Sequence, residues 1–304
     1  MYTKYFEKFN LIYILNFLIA LYPLSFALGN AAINTNNLLI ILIGLIYFKV
    51  DIFKIEFDIF NILVLSFFLL LIISSLINYF PILDENAVYK KHFLRSFSYL
   101  RYFFLFLIIS KMMKNNFLNL KYLFISAALM SSFLALDIFL QFFTGKDIFG
   151  IVPSANAYYD GHPTKHSGFF RDEWIAGGFL RMFSPFFIFI FLIFNNKFKS
   201  KYFYFILVPV LFFLFIYCTA LTGNRMPTIL LAMCATIFLF MEKKLRAALP
   251  ILIISISILF SYMIQTNKAF EYNFKSFADH SQQIFLKSKE IFNQKQKINE
   301  KGEF

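Results

Sequence analysis

The signatures of the common soluble enzyme classes are missing from this chain. It has no P-loop, no dinucleotide-binding glycine pattern, no HExxH pair and no GxSxG elbow. Only two cysteines occur, Cys218 and Cys234, both inside apolar stretches and without metal-ligand spacing. They read as small core residues and say nothing about redox compartment. His162 and His166 have a spacing seen in some metal sites, but no cysteine accompanies them, so no metal and no other cofactor is expected. Charge is scarce as well, at 15% of residues.

What fills the chain instead is apolar. Of 304 residues 60% are hydrophobic, 47 of them Phe. A soluble domain of this length cannot bury that much apolar surface, so the composition points to a polytopic membrane protein. The net charge of +12 invites a nucleic-acid partner, but the Lys and Arg residues fall in short connections between apolar runs. Positive-inside topology accounts for them, and no nucleic acid is expected. Met1–Asn10 is short and basic, with no small-x-small cleavage pattern near Ala27–Ala32, and reads as leading into a retained anchor.

Roughly twenty apolar residues cross a bilayer. The expected fold is an all-α polytopic transmembrane bundle of about nine spans. These are Leu11–Leu28, Ala32–Phe48, Phe60–Ile77, Ser96–Ile109, Tyr122–Phe143, Trp174–Phe194, Tyr202–Leu221, Met226–Met241 and Leu249–Ile264. Residues 1–264 form the helical domain, and residues 265–304 a polar extracytoplasmic tail. With the N-terminus cytoplasmic, Lys4, Lys8, Lys49, Lys54, Lys111, Lys114, Lys121, Lys197, Lys199, Lys201, Lys243, Lys244 and Arg246 collect on the inner side, as the positive-inside rule requires. The loop Thr144–Glu173, the turn Thr222–Pro227 and the tail then share the outer face.

Several charged residues stand at or inside the outer ends of these spans. Arg225 follows Thr222-Gly223 and precedes Pro227, a turn that opens a helix whose N-terminus and guanidinium suit an anion. Alone, it reads equally well as a snorkelling arginine. Arg171, Asp172 and Glu173 open the sixth span, and Arg181 lies about two turns inside it, returning to the face of Glu173. That arrangement fits either a structural ion pair or a polar cavity for an anionic lipid-linked substrate. Asp137, an acid well within the fifth span, is expected to pair with Arg181 or Arg101 or to accept a proton; Arg95 and Arg101 extend the same cationic pocket. In the tail, His280 is a candidate general base. Ile284-Phe285, Ile291-Phe292 and Ile298 recur at roughly heptad spacing, as in an amphipathic helix.

Two of these stretches carry a resemblance. Gly168-Phe169-Phe170-Arg171-Asp172-Glu173-Trp174-Ile175-Ala176-Gly177 resembles the Gly-x-Phe-x-Asp-Glu-x-x-x-Gly segment of the O-antigen ligase and polymerase superfamily of bacterial inner-membrane proteins. Thr222-Gly223-Asn224-Arg225 resembles its Thr-Gly-x-Arg signature. The likeness covers mainly Tyr122–Tyr262. It implies metal-independent transfer of a glycan from undecaprenyl pyrophosphate to an acceptor glycan or lipid A core, at the periplasmic face of the inner membrane and among membrane lipids. On that analogy Arg225, Arg181 and Arg171 bind diphosphate, while Glu173 or a histidine such as His280 orients or deprotonates the acceptor hydroxyl. Asp137, Asp172 and Arg101 support them as ion pairs. Family members continue into a larger periplasmic segment and further spans, so a C-terminally shortened member is expected. The rival readings are a transporter or flippase of lipid-linked sugar, disfavoured by the near absence of charge in the inner half of the spans, and a catalytically inactive truncated scaffold.

Overall fold

The computed structural model of the chain describes residues 2–54, 59–79, 87–153, 158–159, 162–163, 165–171, 175–194, 201–243 and 245–266, with scattered positions between 268 and 287. The architecture is helical: α1 (Tyr2–Ala20), α2 (Tyr22–Leu28), α3 (Asn30–Phe48), α4 (Ile59–Tyr79), α5 (Ala87–Lys114), α6 (Leu120–Thr144), α7 (Ala176–Phe194), α8 (Lys201–Leu221), α9 (Arg225–Met241) and α10 (Leu249–Thr266). The one exception among the described residues is a minimal antiparallel pairing of β1 (Tyr158–Tyr159) with β2 (His162–Pro163).

Where it is described, each expected apolar run falls on a helix, with corrections of outline: α5 begins at Ala87 instead of Ser96, α7 begins at Ala176, and the first run is divided. The first run breaks at Leu21 into α1 and α2, which are bent by 50°. Pro23, at the first turn of α2, favours a fresh helix start there. By length and apolarity four described helices can cross a membrane: Asn30–Phe53, Ile59–Ile77, Leu120–Thr144 and Arg246–Gln265. The bent pair makes a fifth if it is one span. Phe205–Leu221 and Arg225–Met241 are shorter apolar helices. In α4 only 6% of the apolar stretch is buried, and Leu63, Phe67, Leu70 and Ile77 stand exposed along it. In water so large an apolar face would drive aggregation; in hydrocarbon it is the expected surface of a membrane protein.

By its contacts the chain forms two compact units, Met1–Ala127 and Ala128–Phe304. In the first, α3 packs on α1, α2 and α5, and α4 packs on α5. Its core joins Leu15, Leu18 and Ile19 of α1 to Ile40, Ile41 and Phe48 of α3 and to Leu107, Ile108 and Met112 of α5. Gly44 allows α3 and α5 to approach: a Cβ there would lie 2.5 Å from Ile108 Cδ1. The carbonyls at the α1–α2 break are served by side chains. Asn36 Nδ2 donates to Leu18 O at 3.0 Å, and the Ser25 hydroxyl donates to Leu21 O at 3.0 Å.

In the second unit α7, α8 and α9 pack pairwise, and α10 packs on α8 and α9. Leu180, Phe183, Phe212, Phe215, Ile216, Leu231 and Ala235 fill its interior. Cys218 is buried and its thiol faces the Ala135 carbonyl at 3.7 Å, whereas Cys234 is exposed on α9 rather than in the core.

Candidate functional site

The site is built from three pieces of the second unit: the end of α6, the long connection that follows it, and the α8–α9 turn. Asp137 and Gln141 lie one helical turn apart and so share a face of α6. Asp137 is 0% exposed, and its Oδ1 accepts the Ile148 amide at 2.7 Å. Gln141 accepts the Gly168 amide at 3.0 Å through Oε1 and reaches Ile151 O at 3.4 Å through Nε2. Between these anchors Asp147 Oδ1 accepts the amides of Phe149 and Ile151 at 3.0 and 2.6 Å, closing a compact turn. Acceptors on α6 thus hold both ends of the connection by its backbone N–H groups, which in an apolar setting must find partners.

Gly168, the first residue of the longer motif, sits where only glycine fits. Its φ is +55°, and a Cβ would stand 2.7 Å from Asp137 Oδ2 and 3.2 Å from Leu134 Cδ1. A 3-10 turn, Gly168–Phe170, follows. Phe169 stacks on Phe133 at 5.6 Å and Phe170 packs on Phe179 at 5.5 Å, which anchors the motif in the core. Arg171 ends the turn, exposed and at φ +57°, and the Ser167 hydroxyl donates to its carbonyl.

The two motifs meet. A Cβ on Gly177, the last residue of the first motif, would lie 2.5 Å from Thr222 Oγ1 and 2.8 Å from Asn224 Cβ of the second. Just upstream the His166 amide donates to Leu221 O at 3.1 Å. Gly223, at φ +70°, turns the chain, and Asn224 heads α9 without capping it through its side chain. Thr222 and Thr219 are buried, with hydroxyls bonded to Thr219 O at 2.6 Å and Phe215 O at 2.7 Å. Arg225 is therefore the first residue of α9, half-buried.

Lys165 lies within electrostatic reach of it. Burial pushes the Lys165 ammonium below its usual range, and the nearby charge of Arg225 adds to the shift. Two cations within such reach repel each other, and an anion placed between them relieves that cost. His166 is 4% exposed, its ring lies edge-on to Phe142 at 5.3 Å, and its Nδ1 has no hydrogen-bond partner. Burial lowers its pKa to about 4, so the imidazole is neutral near pH 7.

The expected site residues fall out unevenly. Arg225 opens α9. Arg181 is half-buried in α7 and makes no hydrogen bond or ion pair among the described residues. Asp137 does not pair with it: the carboxylate serves the Ile148 amide, and its Oδ2 makes no hydrogen bond although the Phe169 amide faces the group. Arg101 belongs to α5 in the first unit, where it engages Tyr102. Asp172, Glu173 and His280 lie outside the described residues, as does most of the proposed tail helix. Lys165 and Gln141 were not foreseen. Their available signals were a lysine three residues before a motif glycine and an amide one turn beyond an intramembrane acid.

No protein-family model, no curated protein and no solved structure matches the chain. The geometry of the converging motifs is what bears on function.

Proposed function

We propose that the chain is a glycosyltransferase of the O-antigen ligase type. It moves a glycan from undecaprenyl pyrophosphate to an acceptor glycan or lipid A core at the periplasmic face of a bacterial inner membrane. The reading includes nine spans, a cytoplasmic N-terminus and both motifs on the outer side, in accord with the distribution of Lys and Arg. One observation carries it: Gly177 of the first motif rests against Thr222 and Asn224 of the second, at the helix start that Arg225 opens, with Lys165 within electrostatic reach.

Such a cluster suits diphosphate chemistry. As the acceptor oxygen bonds to the sugar's anomeric carbon, the bond from that carbon to the phosphate oxygen breaks and its electron pair leaves with the diphosphate. Charge grows on the leaving group, where Arg225, Lys165 and the N-terminus of α9 stabilise it. Arg181 and Arg171 add donors from α7 and the turn before it. The acceptor hydroxyl's proton passes to a base, Glu173 or His280. Replacing Arg225 with Ala is expected to abolish glycan transfer in cells while membrane insertion stays intact. Full transfer by an inserted Arg225→Ala protein would remove the proposal.

A further inference from the structure

Arginine within an apolar helix is costly unless a carboxylate, backbone carbonyls or a ligand compensates its charge. Arg101 sits midway along α5, half-buried, with its Nε atom fully buried and without a hydrogen bond. Among the described residues its one hydrogen bond runs from Nη2 to the Tyr102 hydroxyl at 3.2 Å, and its guanidinium carbon lies 4.9 Å from the centre of that ring. An aromatic face eases the desolvation of a cation but does not neutralise it. No carboxylate pairs with Arg101 among the described residues; Asp51, an acid of the same unit, is bound to Lys54 at 2.7 Å.

Next to this cation in sequence, Tyr102 has a second phenol near it, from α2. Tyr22 lies within electrostatic reach of Tyr102, and its hydroxyl donates to Asn37 Oδ1. Asn37 is 1% exposed, and the neighbouring Asn36 leaves its Oδ1 buried without a partner. Tyr22 has committed its proton to Asn37. Tyr102 accepts from Arg101 and keeps its own proton to give. An incoming anion would therefore meet guanidinium Nη–H groups and one phenolic O–H. That is the donor set for a phosphate oxygen, since guanidinium forks and hydroxyls bind it through short charge-assisted bonds.

We infer that Arg101 and Tyr102 form a binding site for the phosphate of an anionic membrane lipid. A lipid is favoured over a free anion because α4, one of the helices packed on α5, leaves its apolar surface almost wholly unburied. A ligand approaching through such surroundings brings acyl chains that lie on apolar surface while its phosphate reaches the arginine. A free phosphate would have to shed its water in hydrocarbon. The site belongs to the first unit and goes beyond the glycosyl transfer proposed for the second.

The test uses the full chain purified in neutral detergent and titrated with phosphatidylglycerol, phosphatidylcholine or inorganic phosphate. Readouts are the unfolding midpoint and lipid retention in native mass spectrometry. Phosphatidylglycerol is expected to raise the midpoint saturably, while phosphatidylcholine and inorganic phosphate do not. Arg101→Gln should weaken apparent phosphatidylglycerol affinity by about tenfold or more, the loss expected for one charge-assisted bond to phosphate. Arg101→Lys should fall between the two. The inference is overturned if phosphatidylcholine acts equally, if inorganic phosphate gives the same shift, or if Arg225→Ala removes the response while Arg101→Gln keeps it. Should Arg101→Gln fail to fold, Tyr102→Phe decides: weaker retention supports the site and unchanged retention rejects it.

Discussion

The two units solve the same problem with opposite chemistry. Each buries backbone polar groups that hydrocarbon cannot satisfy. In the first unit neutral amides do this work at helix ends and breaks. Asn16 donates to Ile12 O at 3.0 Å and Phe117 O at 2.8 Å while accepting the Asn119 amide at 2.6 Å, and Asn36 takes the Leu18 carbonyl. In the second unit the carboxylates of Asp137 and Asp147, with Gln141, accept amides from a long connection. The difference follows from supply. A helix end leaves carbonyls as well as amides unserved, so a side chain that both donates and accepts fits. An irregular loop folded against a helix offers spare N–H groups, which an acceptor-only carboxylate satisfies more strongly. Among the described residues both designs leave loose ends: Oδ2 of Asp137 and of Asp147 and Nδ1 of His166 in the second unit, and Oδ1 of Asn36 in the first, are buried without partners.

That contrast is broken most severely at Gly168. Alanine there carries a left-handed backbone penalty of ~1–2 kcal/mol, and its Cβ overlaps Asp137 Oδ2 and Leu134, which adds ~1–3 kcal/mol. The expected loss is about 4 kcal/mol of stability, read from denaturant unfolding in detergent. Substituting Asp137 with Ala in the same chain should recover part of it, since the overlap is then relieved. Full additivity of the two changes would show that the contact does not shape the loop.

A smaller effect concerns pH. The His166 pKa is lowered by burial to about 4, below its unfolded value near 6.5. The unfolded chain therefore binds more protons between these values, so the stability gained from the neutral imidazole is complete above 6.5. It declines as pH falls from there through 4. The difference corresponds to about 3 kcal/mol at most. Unfolding midpoints measured from pH 7.5 to 4 should fall accordingly, and His166→Leu should flatten that part of the profile. An unchanged slope in the variant would assign the pH response to other groups.

How far this arrangement was legible depends on the kind of signal. Apolar runs marked the helices because span length and hydropathy are local properties. Gly223 and Pro227 marked the α8–α9 turn because turn chemistry is local too. The break at Leu21 was readable from Pro23 but was hidden inside one continuous apolar run, Leu11–Leu28. The anchoring of the loop was not readable. Gly168 and Asp137 are far apart in sequence, and the partners that Asp137 and Gln141 choose are backbone amides, which every residue except proline carries. A lone acid in a span invites pairing with an arginine of another span, here Arg181 or Arg101, because composition records charge but not direction. Lys165 was passed over for the same reason: within reach of Arg225 only in space, it looks like any loop lysine.

The smallest predicted effect sharpens the comparison most. If the first unit relies on two-way amides and the second mainly on carboxylate acceptors, exchanging the chemistries of Asn16 and Asp137 must give unequal results. Asn16→Asp keeps the oxygen that accepts the Asn119 amide but loses the donor to the Ile12 and Phe117 carbonyls and buries a charge. A loss of about 2 kcal/mol is expected. Asp137→Asn keeps Oδ1 as the acceptor for Ile148 and removes a buried charge, at the cost of placing an amide where Oδ2 stood beside Gly168. These terms nearly offset, and the change should stay under ~1 kcal/mol. Unfolding of both variants under one set of conditions checks the order. The sign of the small Asp137→Asn term also separates two roles: a destabilisation as large as that of Asn16→Asp would mean that the negative charge itself holds the loop, whereas near neutrality means that one well-placed oxygen suffices.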